Sequence, residues 1–227
     1  MPAIPFEIVG FDLDGTLVES HRDLGAAVNH ALALGGFDPV PADSASDLIG
    51  GGAKIMLARA VEAQGGLPEA EFRPLYKAML GYYAQNNAVH SRPYPGALEC
   101  LEELSAAGAT LAVVTNKFES FARDILQTLG LSDRLATIIG GDTLGKGADG
   151  KRIAKPSPAP LHEMVARCGG GRAVFIGDSS YDIDAARAAR LPSVAASYGY
   201  CDKPADRLGA TAVIDSLAEL PTTLARL

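Results

Sequence analysis

Two carboxylates one residue apart, Asp12 and Asp14, close a short apolar run in FEIVGFDLDGTL (6–17). Phe6, Ile8, Val9 and Phe11 read as a buried strand, and Gly15 and Thr16 turn the chain away at its carboxyl end. In an open α/β sheet, ligands bind in the crevice beyond those ends. Two such acids stay ionised together only with a cation between them. Mg²⁺, which takes carboxylate and backbone oxygens, is the simplest choice. Alternate residues of an extended strand share a face, so both acids are expected to meet one ion and one substrate. The plainer reading is a strand that ends in an acidic turn.

Three further apolar runs end in polar groups. LAVVTNK closes with Thr115, Asn116 and Lys117, where a hydroxyl beside exposed N–H groups suits a phosphate, although a helix cap uses the same residue. Lys155, in KPSP, is held by Pro156 and Pro158 and can offer its ammonium to a phosphate and to a carboxylate nucleophile; the alternative is a solvated turn lysine. AVFIGDSSYD delivers Asp178, which would complete a magnesium site with Asp12. One helical turn on, Asp182 is placed to hold outer-sphere waters or Lys155.

These groups need a scaffold, and the periodicity supplies one. Helical spacing begins after Leu17, with Ser20 or Asp23 as cap and Leu24, Val28, Ala31 and Leu32 as the apolar face. Further helices are expected at Asp43–Ile49, around Ile55–Glu62, and from Pro68 to about Asn86. No strand interrupts 20–90. The organisation expected is a core of residues 1–18 and 91–227 with an inserted helical cap of 19–90, and the two linkers form a hinge. From Gly96 the pattern alternates. Strands are expected at 110–115, 136–139, 173–176, 193–196 and 212–214, and helices at 97–107, 119–129, 159–168, 182–189 and 217–227. That alternation predicts an α/β fold, a Rossmann-like parallel sheet covered on both faces.

Composition narrows the class. A chain of 227 residues, 48% hydrophobic and 21% charged, has material for a real core. A net charge of −7 opposes binding to nucleic acid or an anionic membrane, each of which needs a basic face. No run approaches the roughly 18 apolar residues of a membrane span, and no signal peptide is read at the N-terminus. Cys100, Cys168 and Cys201 have no metal spacing and read as incidental thiols of a cytoplasmic protein.

The order acid pair, threonine, lysine, acid pair, each at a strand end, resembles motifs one to four of the haloacid dehalogenase superfamily of aspartate-nucleophile phosphatases. The helical insertion after motif one resembles its helical cap type (C1). Within that group, LVESHRDL, LIGGGA, YPGALECLEEL, VVTNK, GGDTL and FIGDSSYDI look most like bacterial phosphoglycolate phosphatases. The resemblance implies Asp12 as nucleophile and Asp14 as acid, then base, with its backbone carbonyl on Mg²⁺. It implies Thr115 and the Asn116 amide on the transferring phosphoryl group, Lys155 as charge neutraliser, Asp178 as the third metal ligand and Asp182 behind the ion. The substrate it implies is a small phosphorylated metabolite, 2-phosphoglycolate above others. An acid at position 14 favours prompt hydrolysis of the intermediate, hence a phosphatase. A sugar phosphomutase like β-phosphoglucomutase is the alternative, and a receiver-like phospho-aspartate signalling module the second.

Weaker signals lie elsewhere. Gly50–Gly52 before a helix, with Lys54, offer N–H groups and charge to an anionic substrate, which makes Gly51 and Lys54 candidate contacts; a plain interhelix turn is the alternative. The stretch 140–155 is longer than the family connection, and Ala148–Lys151 reads as a hairpin turn. Lys151 or Arg152 could add positive field there, although a solvated hairpin fits as well. His21 reads as a hinge or surface residue, and Tyr198 and Tyr200 as packing.

Overall fold

The computed structural model describes residues 4–41, 44–49 and 51–227, with the backbone alone at Asp47. Six strands form one parallel sheet: β1 (Ile8–Phe11), β4 (Thr110–Val114), β5 (Thr137–Ile139), β6 (Ala173–Gly177), β7 (Ser193–Ala196) and β8 (Ala212–Ile214). Their order is β5-β4-β1-β6-β7-β8, so β1 lies between β4 and β6. Ile8 aligns with Thr110 on one side and Ala173 on the other, and Phe11 with Val113 and Ile176. Successive residues of β1, β4 and β6 are almost all buried, as a sheet covered on both faces requires. That is why these strands read as unbroken apolar runs.

Five helices serve this sheet: α4 (Ala97–Ala106), α5 (Glu119–Thr128), α6 (Ala159–Arg167), α7 (Ser180–Ala188) and α8 (Leu220–Leu224). Leu161 and Met164 of α6 and Ala185 and Ala186 of α7 pack on Ile8, Ala112, Val114 and Phe175. Gly10 makes this packing possible, because a Cβ there would lie 2.3 Å from Met164 Sδ. A two-residue ribbon, β2 (Val18–Glu19) against β3 (Arg92–Pro93), is antiparallel and carries the Arg92–Glu19 ion pair at 2.7 Å. The sequence reading missed it, since two residues per strand leave no periodicity.

The chain divides into two compact units, one reaching to Glu19 and resuming at Arg92–Leu227, the other Ser20–Ser91. The second is helical: α1 (His21–Leu34), a 3₁₀ turn at Ser46–Leu48, α2 (Ala53–Glu62) and α3 (Glu69–Asn86). Leu24, Val28, Ala31 and Leu32 of α1 and Phe72, Leu75, Met79 and Tyr83 of α3 form its buried faces. His30 stacks on Tyr82 with ring centroids 4.6 Å apart.

Three local expectations are corrected. Neither proposed residue caps α1 through its side chain: Ser20 holds the cap position without a side-chain cap bond, and Asp23 points elsewhere. The buried Asp23 carboxylate accepts the N–H groups of His90 and Ser91 and the Ser91 hydroxyl, at 2.7–3.0 Å. In the described part of 43–49 there is only a 3₁₀ turn, with Asp43 outside the described residues. The final helix shrinks to a 3₁₀ turn at Leu217–Glu219, capped by the Ser216 hydroxyl, followed by the short α8.

Candidate active site

β1 delivers Asp12 one step past its last residue, and the Asp12 N–H still bonds Ile176 O at 2.8 Å. The chain then folds into a tight turn in which the N–H groups of Leu17 and Val18 both reach Leu13 O. Gly15 holds φ +89° within it, and a Cβ there would lie 2.3 Å from Asp178 Oδ2. Only glycine satisfies both demands. Thr16, on the same turn, donates its hydroxyl to Asp178 Oδ1 at 2.8 Å, while Tyr200 N–H holds Oδ2 at 2.8 Å. Tyr198 donates its phenol to Thr16 O at 3.0 Å and meets Tyr94 at 4.9 Å between ring centroids. The two tyrosines read as simple packing therefore brace the loop that carries the acids.

Asp178 follows β6, and Asp182 lies in the first turn of α7. Asp182 Oδ2 accepts the Ser179 N–H and hydroxyl, at 3.0 and 2.7 Å, and so fixes the helix start. Its Oδ1 takes the Lys155 ammonium at 2.6 Å, and the same ammonium stands 2.8 Å from Asp12 Oδ1. Lys155 is wholly buried and lies over the Phe175 ring at 5.3 Å. Its backbone carbonyl accepts Asn116 Nδ2 at 3.0 Å. The Asn116 side-chain amide thus serves the main chain of Lys155. Thr115 is buried beyond β4, where its N–H bonds Ile139 O and its hydroxyl accepts Lys117 N–H at 3.2 Å.

Oxygens of Asp12, Asp178 and Asp182 lie within 4.8 Å of one another, the one such group among the described residues. Burial pushes Asp12 up to about 6, and the charges of Asp182 and Asp14 push the same way against Lys155. Burial, then the charges of Asp182 and Asp12, carry Asp178 well above the usual carboxylate range. Burial alone would lower Lys155, but the charges of Asp12 and Asp182 outweigh it and raise it. The pocket is therefore short of positive charge even with Lys155 in place. Asp12 Oδ1 is also buried without a hydrogen bond of good geometry. An all-oxygen, all-carboxylate set with excess negative charge fits a hard divalent cation such as Mg²⁺.

Asp14 has a cationic partner. Its carboxylate stands outside the trio and pairs through Oδ2 with Lys117 Nζ at 2.8 Å, a lysine to which the sequence reading gave no role.

Gly51 and Lys54 belong to the helical unit at the start of α2, and Gly50 lies outside the described residues. Lys54 is exposed, 3.3 Å from Glu69 Oε1 and 5.8 Å from the Phe72 ring centroid. In the 140–155 segment a turn spans Gly147–Gly150, and Lys146 pairs with Arg152 in an antiparallel bridge. Lys151 is exposed, and the Arg152 guanidinium lies 4.0 Å above the Phe118 ring.

Residues 6–190 match the haloacid dehalogenase-like hydrolase family. A phosphoglycolate phosphatase of Agrobacterium fabrum is 41% identical over 226 residues, 98% of this chain and 93% of that protein. The phosphoglycolate phosphatase of Mesorhizobium japonicum is 38% identical over 96% of this chain and 94% of its own length. The crystal structure of a predicted phosphoglycolate phosphatase from Haemophilus somnus superposes with a TM-score of 0.86 at 34% identity, covering 96% of this chain and 97% of that one.

Proposed function

The chain belongs to the haloacid dehalogenase-like hydrolases, and from that membership we propose that it hydrolyses 2-phosphoglycolate with Mg²⁺, through a phosphorylated Asp12. The observation that carries the reading is the buried Lys155 ammonium spanning Asp12 and Asp182, beside Asp178, beyond the carboxyl ends of β1 and β6. The relatives' names, at up to 41% identity, support the substrate.

Asp12 attacks phosphorus; the P–O bond to the ester oxygen breaks, and the leaving oxygen takes a proton from Asp14. A water then attacks the aspartyl phosphate, and Asp14 accepts its proton. The P–O bond to Asp12 breaks, which returns the carboxylate and releases inorganic phosphate. Splitting one displacement into two in this way is covalent catalysis, and Asp14 serves as acid and then base. Thr115 and the backbone around Asn116 hold phosphoryl oxygens, while Lys155 neutralises charge at Asp12 and the phosphoryl group. Asp12, Asp178 and the Asp14 carbonyl would hold Mg²⁺, with Asp182 acting through Lys155. When bound, the ion supplies charge neutralisation for the phosphoryl oxygens. Gly51 and Lys54 are proposed as contacts for the rest of the substrate.

Phosphate release from 2-phosphoglycolate, sugar phosphates and nucleotides tests the reading, with Mg²⁺ or chelator and with Asp12→Asn alongside. Magnesium-dependent release that favours 2-phosphoglycolate and vanishes in the variant is expected. Release from none of these esters would sink the hydrolase reading, and a preference for another ester would replace the substrate.

A further inference from the structure

We propose that Lys117 is the positioning residue for Asp14, holding the proton-transfer carboxylate apart from the metal-binding carboxylates. The inference rests on the phosphatase reading above. Lys117 leaves the end of β4 yet is buried, its side chain 5% exposed, with Nζ 2.8 Å from Asp14 Oδ2. A buried ammonium persists only when paired, so this contact fixes both side chains. Its main chain is fixed as well. Thr115 Oγ1 accepts the Lys117 N–H, and Gly141 N–H donates to Lys117 O at 2.7 Å. Gly141 comes so close that a Cβ there would lie 2.5 Å from Asn116 O. Asp142, next in the chain, accepts the Glu119 N–H at 2.8 Å and so caps the start of α5 directly after this lysine. The segment after β5 thereby clamps Lys117 from behind.

The purpose follows from the charges. Asp12, Asp178 and Asp182 form one group, two of them paired with Lys155, and Asp14 sits two positions from Asp12. A carboxylate drawn into that group would become a ligand of the ion and lose its use as a proton carrier. A second lysine, just past β4, keeps Asp14 out. One lysine serves the nucleophile and the other the acid–base.

The test is Lys117→Met, with Lys117→Arg and Lys117→Gln beside it, each checked for native circular dichroism and thermal midpoint. General acid catalysis matters for a poor leaving group and little for a good one. With 2-phosphoglycolate, K117M should lose about a hundredfold in kcat at nearly constant KM. With p-nitrophenyl phosphate, first-turnover release of nitrophenol should stay within about threefold of the parent, followed by a slow steady state. K117R should recover most of the loss. In an Asp14→Asn background, K117M should cost less than about threefold more, because the two residues act as one unit. Equal first-turnover losses on both esters, additive losses in the Asp14→Asn background, or a rise in KM alone would overturn the proposal. If K117M fails to fold, K117Q and K117R carry the same comparison. A parent enzyme inactive on both esters would overturn the phosphatase reading, and this inference with it; an active parent with the wrong pattern overturns this inference alone.

Discussion

Lys155 and Asp182 form an ion pair of 2.6 Å with side chains 1% and 0% exposed, and Asp182 is simultaneously the residue that fixes the start of α7. The lysine is thus tied to a helix end as well as to the nucleophile. Truncation leaves buried carboxylates uncompensated, which typically costs 3–5 kcal/mol. Lys155→Met should therefore lower stability by about 3 kcal/mol or more and abolish turnover, as denaturant unfolding and phosphate release would show. Full activity in a stable K155M protein would refute the role.

Asp12→Asn removes one charge from a crowded buried group while Lys155 keeps Asp182 as partner. Turnover should fall by at least about a thousandfold. The metal-free variant should melt no lower than the parent, since like charges are relieved. Calorimetry in chelator checks this, and a clear drop in melting temperature would contradict the account of the charge balance.

The raised Asp12 value gives a pH dependence with a definite sign. A carboxyl near 3.8 when unfolded and about 6 when folded binds its proton more tightly in the native state. Its contribution is fully present below about 4 and lost as pH rises through about 6. The Asp178 shift has the same direction. Mg²⁺ replaces the lost protons, so its stabilising effect should be small at pH 5 and large at pH 7. Melting curves with Mg²⁺ and with chelator across that range measure it; an effect independent of pH would count against these carboxylates as the ion's ligands.

Gly199→Ala probes the floor of the site. The added methyl would lie 2.3 Å from Asp178 Cβ and 2.4 Å from Gly15 O, so either the turn or the aspartate must shift. Overpacking of this kind costs about 1–3 kcal/mol. Magnesium affinity should weaken in parallel, measured by calorimetric titration. Unchanged affinity would show that Asp178 tolerates the displacement.

In the helical unit, Asp23→Ala leaves the N–H groups of His90 and Ser91 without their buried acceptor. A loss of about 2–3 kcal/mol in unfolding free energy is expected. A change below about 0.5 kcal/mol, within the range of ordinary surface substitutions, would mean that water replaces the carboxylate freely.

Much of this was legible because strand ends are loud signals. Asp12, Thr115 and Asp178 each follow four or five buried residues, and a run buried on both faces cannot be mistaken for an amphipathic one. Lys155 stood out through the prolines that follow it, Pro156 and Pro158. What stayed hidden depends on the direction of a side chain. Nothing in VVTNK says whether Lys117 turns to solvent or inward to Asp14. Asp23 looked like a cap because caps are local, whereas its partners lie 67 and 68 positions away. A comparable distance hid β2 and β3, whose pairing rests on a return of the chain that no local pattern records.

The central place of β1 also bears on biogenesis. Its two neighbours are β4 and β6, so Ile8 waits for Thr110 to leave the ribosome before one edge is paired and for Ala173 before the other. Until then an apolar strand and its two aspartates have no sheet to join, and pairing across such separations is slow. A nascent or truncated chain that lacks β6 should therefore be inert towards phosphate esters, and its unpaired first strand is the segment a chaperone would need to shield.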